Sequence, residues 1–472
     1  MRLQQVLSGI AVVGGSGSNP DILGISCDSR SVSAGELFFA IPGLESDGHD
    51  YIRQAALKGA AAIVCRCAPR LSIPVIEVAN PRRALAQAAA NFYGHPARQL
   101  TLLGVTGTNG KTTTTYLLKT VLERLLRTKV GIIGTNSHQR TTPESPDLHR
   151  ILRCMADEGC THVVMEVSSH ALVLERVHGL HFHTSVFTNL TQDHLDFHGS
   201  MEAYACAKAK LFSQCTHGVF NSGDAYGCNL SKVVNCHVKT FCARCDSADY
   251  MAQQVDLRPD GVRFLALHGG ETCPVELPIP GGFTVENALG VIAAACTLNL
   301  NFSDVCAALG HCAAVKGRME PAPWTGEGAV LIDYAHTPDA LENVLSGLRP
   351  FTPGRLICLF GCGGDRDKTK RPRMGAIAAR YADLIFLTSD NPRSEEPMDI
   401  LCDILAGMTD FDAPVIVESD RRWAIALALS ELRSGDTLLL AGKGHETCQE
   451  CGGERLPFDE RQLVADFCRK KR

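Results

Sequence analysis

An apolar run, a glycine-rich loop and a helical repeat follow one another near residue 100, and this succession constrains the fold most. Residues 102–105 predict a buried strand, and residues 106–113 (T-G-T-N-G-K-T-T) predict a tight loop that opens a helix. Apolar residues then recur at helical spacing: Leu117, Leu118, Val121, Leu122 and Leu125. The backbone N–H groups and the helix dipole at such a junction form an anion site. Within it Lys111 can reach the β- and γ-phosphates of a nucleotide, and Thr112 can ligate Mg²⁺.

The loop departs from the usual spacing of a phosphate-binding loop. That spacing places a glycine at position 105, where this chain has Val105, and glycines stand at 104 and 107 instead. An ordinary strand-to-helix turn rich in Gly and Thr is the alternative, but the Gly110-Lys111-Thr112 context favours phosphate binding. By itself the loop predicts only a bound nucleotide, because ATPases, kinases, GTPases and ligases all use it.

The length and composition predict a globular protein of several domains. The chain has 472 residues, of which 45% are hydrophobic and 21% charged, so a length near 150 residues per domain gives about three domains. A net charge of -5 gives no reason to expect nucleic-acid binding or attraction to an anionic membrane. The sequence has no apolar run of about eighteen residues, so we expect no membrane insertion.

Short apolar runs alternate with helical patterns along most of the chain. Strand-like runs are found at 36–41, 60–65, 73–78, 330–333, 356–360, 384–388, 415–418 and 437–441, and a helix is predicted at 82–92. This alternation favours α/β domains with parallel sheets. Breaks in the pattern divide the chain into a smaller N-terminal α/β domain (1–96), a central domain with the phosphate-binding loop (97–316) and a C-terminal Rossmann-like domain (317–472).

Polar clusters follow six of the apolar runs. They begin at Glu166, Thr188, Asp333, Gly361, Asp390 and Gly442. Ligands of open α/β sheets bind outside the carboxyl ends of the strands, so these clusters predict a site. Glu166 is expected to ligate Mg²⁺ beside the phosphate-binding loop. Arg366 and Arg393 lie in strand-end loops, where a planar guanidinium can bind a carboxylate bidentately.

The count of 21 cysteines is the unusual value in the composition. Without a secretory signal we expect them to stay reduced in a cytosol, mostly as small core residues. Two C-x-x-C pairs, Cys242/Cys245 and Cys448/Cys451, lie too far apart in sequence for ordinary zinc-ribbon spacing.

Taken together, the motifs resemble those of the Mur ligase family, and specifically its branch that adds the third residue of the peptidoglycan stem peptide. The resemblance covers nearly the whole chain and rests on the runs at 107–113, 165–172 (M-E-V-S-S-H-A-L), 189–199 (N-L-T-Q-D-H-L-D-F-H-G), 333–339 (D-Y-A-H-T-P-D), 361–367 (G-C-G-G-D-R-D), 390–397 and 441–446. The loop at 107–113 alone is shared with folylpolyglutamate synthases, including its departure from the usual spacing.

This resemblance implies a three-domain ligase that uses ATP and two Mg²⁺ ions. The γ-phosphoryl group passes to the terminal carboxylate of UDP-N-acetylmuramoyl-L-alanyl-D-glutamate, and the amine of meso-diaminopimelate then attacks the acyl phosphate. The implied partners are ATP, the UDP-linked dipeptide and meso-diaminopimelate, with no nucleic acid. The implied protein is a cytoplasmic monomer that acts in peptidoglycan precursor synthesis.

The resemblance also implies residue roles at the ATP site. The implied ATP-binding residues are Gly107, Thr108, Asn109, Gly110, Lys111, Thr112, Thr113, Asn287, Arg318 and Asp333. The implied metal ligands are Thr112, Glu166, His194 and a carbamylated Lys208. The implied catalytic residues are Lys111, Glu166, His194 and Lys208. Carbamylation would turn the Lys208 ammonium into an anionic oxygen ligand.

Two further sets of residues match substrate contacts of the family. Those for the UDP-linked substrate are Ser29, Thr141, Thr142, Ser168 and Arg176, while Arg140 and Leu174 depart from the family pattern. Those for diaminopimelate are Arg366, Asp390, Asn391, Pro392, Arg393, Gly442 and Glu446. Diaminopimelate carries a distal carboxylate that lysine lacks, so a lysine would leave the two arginines unpaired.

Two other classes of protein remain as alternatives. One is a related ligase with another acceptor, such as a lysine-adding enzyme or a folylpolyglutamate synthase, and the motif at 390–393 together with the N-terminal domain disfavours it. The other is a non-catalytic nucleotide-binding protein, which the joint presence of Lys111, Glu166, His194 and Lys208 disfavours.

Overall fold

Three sheets with flanking helices form the body of the protein in a computed structural model. The structure describes residues 1–43, 46–137, 140–258 and 260–470. The sheets contain five, nine and six strands, and a separate two-stranded hairpin lies near the C-terminus. The prediction of three α/β domains is confirmed, whereas the borders at 96 and 316 stay predictions.

The N-terminal sheet has the strand order β1-β5-β4-β3-β2. Its strands are β1 (Val12–Ser16), β2 (Gly24–Ser26), β3 (Glu36–Phe39), β4 (Ala62–Cys65) and β5 (Val75–Val78). Its helices are α1 (Leu3–Val6), α2 (Ile52–Leu57) and α3 (Pro81–Phe92). The side chain of Asn80 caps α3 by accepting from the N–H groups of Arg82 and Arg83, and Pro81 fits the first turn. These signals explain why the predicted helix at 82–92 forms.

The central sheet has the order β14-β13-β12-β11-β10-β9-β6-β8-β7. Its strands are β6 (Thr101–Thr106), β7 (Val130–Ile133), β8 (His162–Glu166), β9 (Phe182–Phe187), β10 (Cys215–Asn221), β11 (His237–Cys242), β12 (Tyr250–Arg258), β13 (Gly261–His268) and β14 (Glu271–Leu277). Its helices are α4 (Lys111–Leu126), α5 (Ser145–Asp157), α6 (Ser169–Val173), α7 (Leu195–His198), α8 (Met201–Ala209), α9 (Ala225–Ser231), α10 (Gly282–Cys296) and α11 (Phe302–Leu309).

The central sheet is mixed rather than wholly parallel. Strand β13 pairs antiparallel with β12 on one side and with β14 on the other. Their edge position leaves one face partly in water, and β12 is exposed or half-buried over most of its length. The expectation of a parallel sheet therefore holds only for the part from β7 to β12.

The C-terminal sheet has the order β15-β16-β20-β17-β18-β19. The strands are β15 (Glu320–Pro321), β16 (Ala329–Asp333), β17 (Leu356–Phe360), β18 (Leu384–Leu387), β19 (Val415–Val417) and β20 (Thr437–Ala441), and the hairpin is β21 (Cys448–Cys451) with β22 (Glu454–Pro457). The helices are α12 (Pro338–Leu348), α13 (Lys370–Tyr381), α14 (Pro397–Leu405), α15 (Arg421–Glu431) and α16 (Glu460–Lys470). Strands β17 and β20 are buried along their whole length, as their continuous apolar runs predict.

One cysteine pair departs from the expectation that all thiols are reduced. Cys242 and Cys245 form a disulfide at the end of β11, while the other cysteines are free. The turn after β11 brings their Cα atoms to 5.7 Å, a distance that suits a disulfide. Within the described ranges, no helix is long and apolar enough to cross a membrane.

A buried histidine makes the central domain sensitive to acid. His149 of α5 is buried, and neither of its ring nitrogens has a hydrogen-bond partner in the described structure. Burial, with a smaller contribution from His95, lowers the pKa of His149 to about 4. Because the folded pKa lies below the unfolded one, this contribution to stability is complete above the unfolded pKa and is lost as the pH falls toward 4.

We therefore expect His149→Leu to reduce the acid sensitivity of folding. Between pH 7 and pH 5 the wild-type protein should lose about 2 kcal/mol more unfolding free energy than the variant, the linkage value for one such histidine. Urea unfolding of the central domain at the two pH values measures this difference. His311→Gln, at an exposed site, is the control and should behave as the wild type. An equal pH dependence in wild type and His149→Leu would contradict the assignment.

Candidate active site

The phosphate-binding loop lies between β6 and α4, as the sequence predicts. Gly107 has a φ of 147°, and a Cβ there would lie 1.9 Å from Thr188 Oγ1. Gly110 has a φ of 82°, and a Cβ there would lie 2.4 Å from Asn287 Oδ1. Only glycine fits these two positions, whereas Val105 is buried inside β6. The departure from the usual glycine spacing thus reflects a loop whose first required glycine is Gly107.

Lys111 folds back over this loop. Its Nζ donates to the carbonyl oxygens of Gly107 at 2.9 Å and Thr108 at 2.7 Å. Burial lowers the pKa of Lys111 despite the nearby carboxylate of Glu166. The loop therefore holds a buried amine whose present partners are two carbonyl oxygens, and a phosphate would offer it a charged acceptor.

Thr112 and Glu166 meet beside Lys111. Thr112 Oγ1 donates to Glu166 Oε2 at 3.1 Å, and the other carboxylate oxygen accepts from the Thr135 N–H at 2.9 Å. Arg318 Nη2 also donates to Thr112 Oγ1, at 3.1 Å. The predicted pair of hydroxyl and carboxylate is thus assembled at the carboxyl ends of neighbouring strands, β6 and β8.

A cleft of about 320 Å³ opens next to the loop, between the central and C-terminal domains. Predicted nucleotide residues that line it are Asn109, Gly110, Thr113, Asn287, Arg318 and Asp333. Asn287 is buried, and its Nδ2 has no hydrogen-bond partner among the described residues. An unpartnered buried amide at a cleft wall is a donor ready for a ligand, since leaving it unsatisfied is costly.

The C-terminal domain supplies one side of this cleft. The Arg318 guanidinium stacks over the Tyr334 ring, 4.7 Å from its centroid. Asp333 holds the local backbone by accepting from the N–H groups of Met319 at 2.7 Å and Ala335 at 2.8 Å. Burial raises the pKa of Asp333. Asp333 thus shapes the loop that carries Arg318.

Direct contacts join the two domains around the cleft. Asn109 Nδ2 donates to Asp339 Oδ2 at 2.8 Å, and Gln192 Nε2 donates to Asp367 Oδ2 at 3.0 Å. Arg373 also donates to the side chain of Gln192. The two domains therefore already face each other across the phosphate-binding loop.

Lys208 is a buried lysine without a carboxylate partner in the described structure. Only 1% of the residue is exposed. Its Nζ donates to the Gly107 carbonyl at 2.7 Å and lies 4.6 Å from the Tyr204 ring centroid. Burial, reinforced by the neighbouring charge of Lys111, lowers the pKa of Lys208 well below its ordinary value. A lowered pKa favours the neutral amine, which is the nucleophilic form of a lysine.

His194 lies near Lys111 within a polar cluster. Its Nε2 is 3.3 Å from Asp193 Oδ2, and Asp193 also faces His336 at 3.8 Å and Lys370 at 3.9 Å. Burial, with the nearby His170 and Lys111, lowers the pKa of His194 to about 3. The neutral imidazole that results is the form that ligates metals.

The predicted metal ligands are assembled only in part. Over the described ranges, no group of three His, Cys, Asp or Glu residues stands close enough to hold a metal ion. Thr112 and Glu166 are joined by a hydrogen bond, whereas His194 and Lys208 both lie close to the Tyr204 ring and near Lys111. A hydroxyl and a carboxylate suit Mg²⁺, and Lys208 would suit it only as a carbamate.

A second, larger cleft of about 1080 Å³ lies between the N-terminal and central domains. Its walls include the predicted Ser29 and Arg176 and also the two departing positions, Arg140 and Leu174. Arg176 and Arg140 both pair with Glu144, at 2.8 Å and 2.7 Å. Of the two residues that differ from the family pattern, Arg140 adds a positive charge to the wall of this cleft and Leu174 adds an apolar side chain to it.

The other predicted residues for the UDP-linked substrate lead from this cleft toward the phosphate-binding loop. Thr142 Oγ1 donates to the Glu166 carbonyl at 2.9 Å and accepts from the Ser168 N–H at 3.0 Å. Thr141 Oγ1 lies 3.1 Å from Thr135 Oγ1. Thr135 in turn donates to the Glu166 carboxylate. A continuous polar path therefore runs from the large cleft to Glu166.

The loop after β18 and the loop after β20 form a third polar site. Lys443 Nζ lies 3.4 Å from Asp390 Oδ1, 2.9 Å from Asn391 Oδ1 and 3.1 Å from Glu446 Oε2. Burial raises the pKa of Glu446, and the neighbouring charge of Asp390 adds to this shift. A Cβ at Gly442 would lie 3.4 Å from Asp390 Oδ2. Lys443 thus ties the predicted residues into one unit.

The two predicted arginines flank a single glycine of this site. A Cβ at Gly363 would lie 2.9 Å from Arg393 Nη1 and 3.7 Å from Arg366 Cγ. The backbone of Gly364 packs against the Pro392 carbonyl, so the two loops interlock. Arg366 also lies 3.7 Å from Asp196 Oδ2 of the central domain. The Arg393 guanidinium and the Cγ atom of Arg366 thus both lie near Gly363, while the Arg366 guanidinium faces Asp196, and the assignment of both arginines to one carboxylate stays a prediction.

Several residues of these sites were not predicted. They include Lys443, Asp193, His336, Lys370, Glu144 and Asp339. Lys443 stands inside the motif at 441–446, so a charge count of that loop could have found it. Asp339 likewise ends the motif at 333–339, but its contact with Asn109 depends on how the two domains meet.

Comparisons with known proteins place the whole chain in one family. Models of three Mur ligase domains match it: the catalytic domain of the family at 21–93, the middle domain at 105–295 and the glutamate ligase domain at 317–444. The UDP-N-acetylmuramoyl-L-alanyl-D-glutamate–2,6-diaminopimelate ligase of Caldanaerobacter subterraneus subsp. tengcongensis is 43% identical over 479 residues, which cover 99% of each chain.

Solved structures agree with this placement. One titled as a UDP-N-acetylmuramoyl-L-alanyl-D-glutamate–2,6-diaminopimelate ligase is 30% identical, with a TM-score of 0.69, and the match covers 100% of this chain and 99% of that one. The MurF ligase of Thermotoga maritima in complex with ADP has a TM-score of 0.67 at 19% identity, covering 95% of this chain and 97% of that one. This second likeness concerns the fold alone.

Proposed function

The chain belongs to the Mur ligase family, and we propose that it is an ATP-dependent ligase that adds meso-diaminopimelate to UDP-N-acetylmuramoyl-L-alanyl-D-glutamate. The observation that carries the choice of amino acid is the pair of arginines beside Gly363, Arg366 and Arg393. Two guanidinium groups next to an acidic and amide cluster suit a ligand with both a carboxylate and an ammonium group. The reaction belongs to cytoplasmic peptidoglycan precursor synthesis.

The proposed reaction has two steps at one place. The dipeptide carboxylate attacks the γ-phosphorus of ATP and gives an acyl phosphate and ADP. The amine of diaminopimelate then attacks the acyl carbon, phosphate leaves, and the amine loses a proton. Phosphoryl transfer of this kind depends on positioning and on neutralising charge.

The two clefts and the polar site beside Arg393 provide a separate place for each of the three substrates. ATP occupies the cleft beside Asn287 and Arg318, and Lys111 turns from the loop carbonyls to the phosphates. The UDP-linked dipeptide lies in the large cleft and extends along Thr142 and Ser168. Diaminopimelate binds beside Arg393. Water can hydrolyse an acyl phosphate. The contacts between the central and C-terminal domains limit the access of water to this intermediate.

Two Mg²⁺ ions would supply charge neutralisation at the phosphates. Thr112 and Glu166 are proposed to hold the first, and His194 with a carbamylated Lys208 the second. In the carbamylation the neutral Lys208 amine adds to CO₂ and loses a proton, which leaves an N-carboxylate. Among the described residues the Lys208 Nζ has only the Gly107 carbonyl and the Tyr204 ring as partners, and a carbamate would give this side chain a negative charge that a bound cation can neutralise.

The test is the substrate dependence of phosphate release by the purified protein. We expect release from ATP only when both the UDP-linked dipeptide and meso-diaminopimelate are present, with a product heavier than the dipeptide by one diaminopimelate residue. L-lysine in place of diaminopimelate is the matched control and should support at least about a hundredfold lower kcat/KM, because it leaves charged partners unpaired. Release that does not depend on the dipeptide would refute the ligase reaction.

A further inference from the structure

The hairpin of β21 and β22 lies directly against the proposed diaminopimelate site. The Arg393 N–H donates to the Glu450 carbonyl at 3.0 Å, and the Gly452 N–H donates to the Arg393 carbonyl at 2.7 Å. The Glu450 N–H donates to Asn391 Oδ1 at 2.9 Å. Backbone bonds thus fix the first hairpin strand along the loop that carries Arg393.

The side chain of Glu450 reaches the Arg393 guanidinium from this strand. Its Oε2 accepts from Arg393 Nε at 3.2 Å, while its Oε1 accepts from Arg455 Nε at 3.0 Å and Nη2 at 2.7 Å. Arg393 Nη1 also donates to the Gly364 carbonyl at 2.6 Å. Two elements therefore hold the Arg393 side chain from two directions.

The geometry leaves part of the Arg393 guanidinium free. A guanidinium has five N–H donors. Glu450 engages the Nε donor and Gly364 one Nη1 donor, and in the described part of the chain Nη2 makes no hydrogen bond. The outer edge formed by Nη1 and Nη2 can therefore still bind a carboxylate bidentately. The Arg393 side chain is 26% exposed, so part of it is open to solvent.

We infer that Glu450 is a positioning residue, which anchors the Nε side of Arg393 so that the Nη1 and Nη2 edge faces the distal carboxylate of the incoming amino acid. The inference rests on the proposed function, because it assigns that carboxylate to Arg393. A long arginine side chain loses rotamer freedom when it binds. Glu450 lowers this entropic cost by ordering Arg393 before the ligand arrives.

The opposite role for Glu450 would be that of a competitor for the substrate carboxylate. A competitor must leave Arg393 when the ligand binds. Glu450 is instead held by Arg455, by its own backbone bond to Asn391 and by the hairpin pairing of β21 with β22. The two roles predict opposite changes in the KM for diaminopimelate when Glu450 loses its charge, so kinetics separate them.

The test is Glu450→Gln in the full-length protein, with Glu454→Gln as its matched control. Glu454 is exposed on the same hairpin, and its substitution removes the same charge. For Glu450→Gln we expect the KM for meso-diaminopimelate to rise about fivefold, an effect typical of a partly exposed ion pair. The KM for ATP and kcat should stay within about twofold of wild type, and Glu454→Gln should leave all three unchanged. Glu450→Ala provides a second variant with the same expected direction.

The kinetics can overturn the positioning role alone, or overturn the proposed diaminopimelate site together with it. An unchanged or lowered KM for diaminopimelate in both Glu450 variants excludes the positioning role. An equal rise in Glu450→Gln and Glu454→Gln assigns the effect to hairpin charge rather than to Arg393. Arg393→Ala separates the two proposals: if it raises this KM while the Glu450 variants do not, only the positioning role fails. If Arg393→Ala has no effect either, the proposed diaminopimelate site fails with it.

Discussion

Replacing Lys208 by alanine is expected to lower kcat for diaminopimelate addition by at least about a thousandfold, because under the proposed function Lys208 ligates a catalytic metal as a carbamate, and losing such a ligand costs several kcal/mol of transition-state stabilisation. The KM for ATP should change much less. Lys208 lies under the phosphate-binding loop, and its Nζ contacts only the Gly107 carbonyl and the Tyr204 ring in the described structure. Phosphate release with saturating substrates measures the loss.

The neighbouring lysine provides the control for this prediction. Lys210 is exposed and follows two residues later, so Lys210→Ala should retain wild-type activity. Short carboxylic acids such as formate or acetate should restore part of the activity of Lys208→Ala, because they can place a carboxylate in the vacated space. Lack of rescue by any of these acids would count against a carbamate at Lys208, although not against the fold. Near-normal activity of Lys208→Ala would remove Lys208 from the catalytic site.

Local sequence signals were sufficient wherever a short segment determines its own structure. Strands β17 and β20 have the predicted bounds, because each is a buried apolar run that ends in a glycine-rich loop. The phosphate-binding loop was likewise predictable, since the positive φ angles of Gly107 and Gly110 are needed within a few residues. The clustering of polar strand ends followed from the rule that parallel strands share one carboxyl edge.

Features that depend on distant parts of the chain were not predictable in this way. The antiparallel addition of β13 and β14 beyond β12 depends on which edge of the central sheet stays open. The contact of Asn109 with Asp339 joins residues 230 positions apart and depends on the approach of two domains. Lys443 itself lies in the motif at 441–446, but its contacts with Asp390 and Asn391 depend on how the loops after β18 and β20 come together.

The residue roles required the family resemblance in addition to the residue chemistry. A buried lysine such as Lys208 has no sequence signature for metal binding, since an ammonium repels cations. In contrast, Arg366 and Arg393 suggested a carboxylate ligand from their own chemistry, and the structure places both beside Gly363. Residue chemistry thus supports a carboxylate in the ligand, whereas the choice of diaminopimelate over lysine rests on the resemblance and on the similar proteins.

Replacing Arg393 by alanine is expected to raise the KM for meso-diaminopimelate about fiftyfold, since a charge-assisted bidentate pair is among the strong hydrogen-bonding interactions of proteins. The KM for ATP should stay within about twofold, because the nucleotide cleft is lined by other residues, among them Asn287 and Arg318. Initial rates of phosphate release, with one substrate varied at a time, give both constants. Arg469→Ala, an exposed change in the same domain, controls for the loss of a positive charge.

The comparison with L-lysine makes this prediction specific for the distal carboxylate. L-lysine has the same spacing between its two amino groups but no distal carboxylate to pair with Arg393. Arg393→Ala should therefore change kcat/KM for lysine by less than about threefold. The ratio of kcat/KM for diaminopimelate to kcat/KM for lysine should therefore fall by nearly the same factor as kcat/KM for diaminopimelate itself. If Arg393→Ala weakened the use of both amino acids and of ATP equally, Arg393 would support the fold of the C-terminal domain and would not recognise the carboxylate. A selective loss for diaminopimelate would locate the specificity of the ligase at the loop after β18.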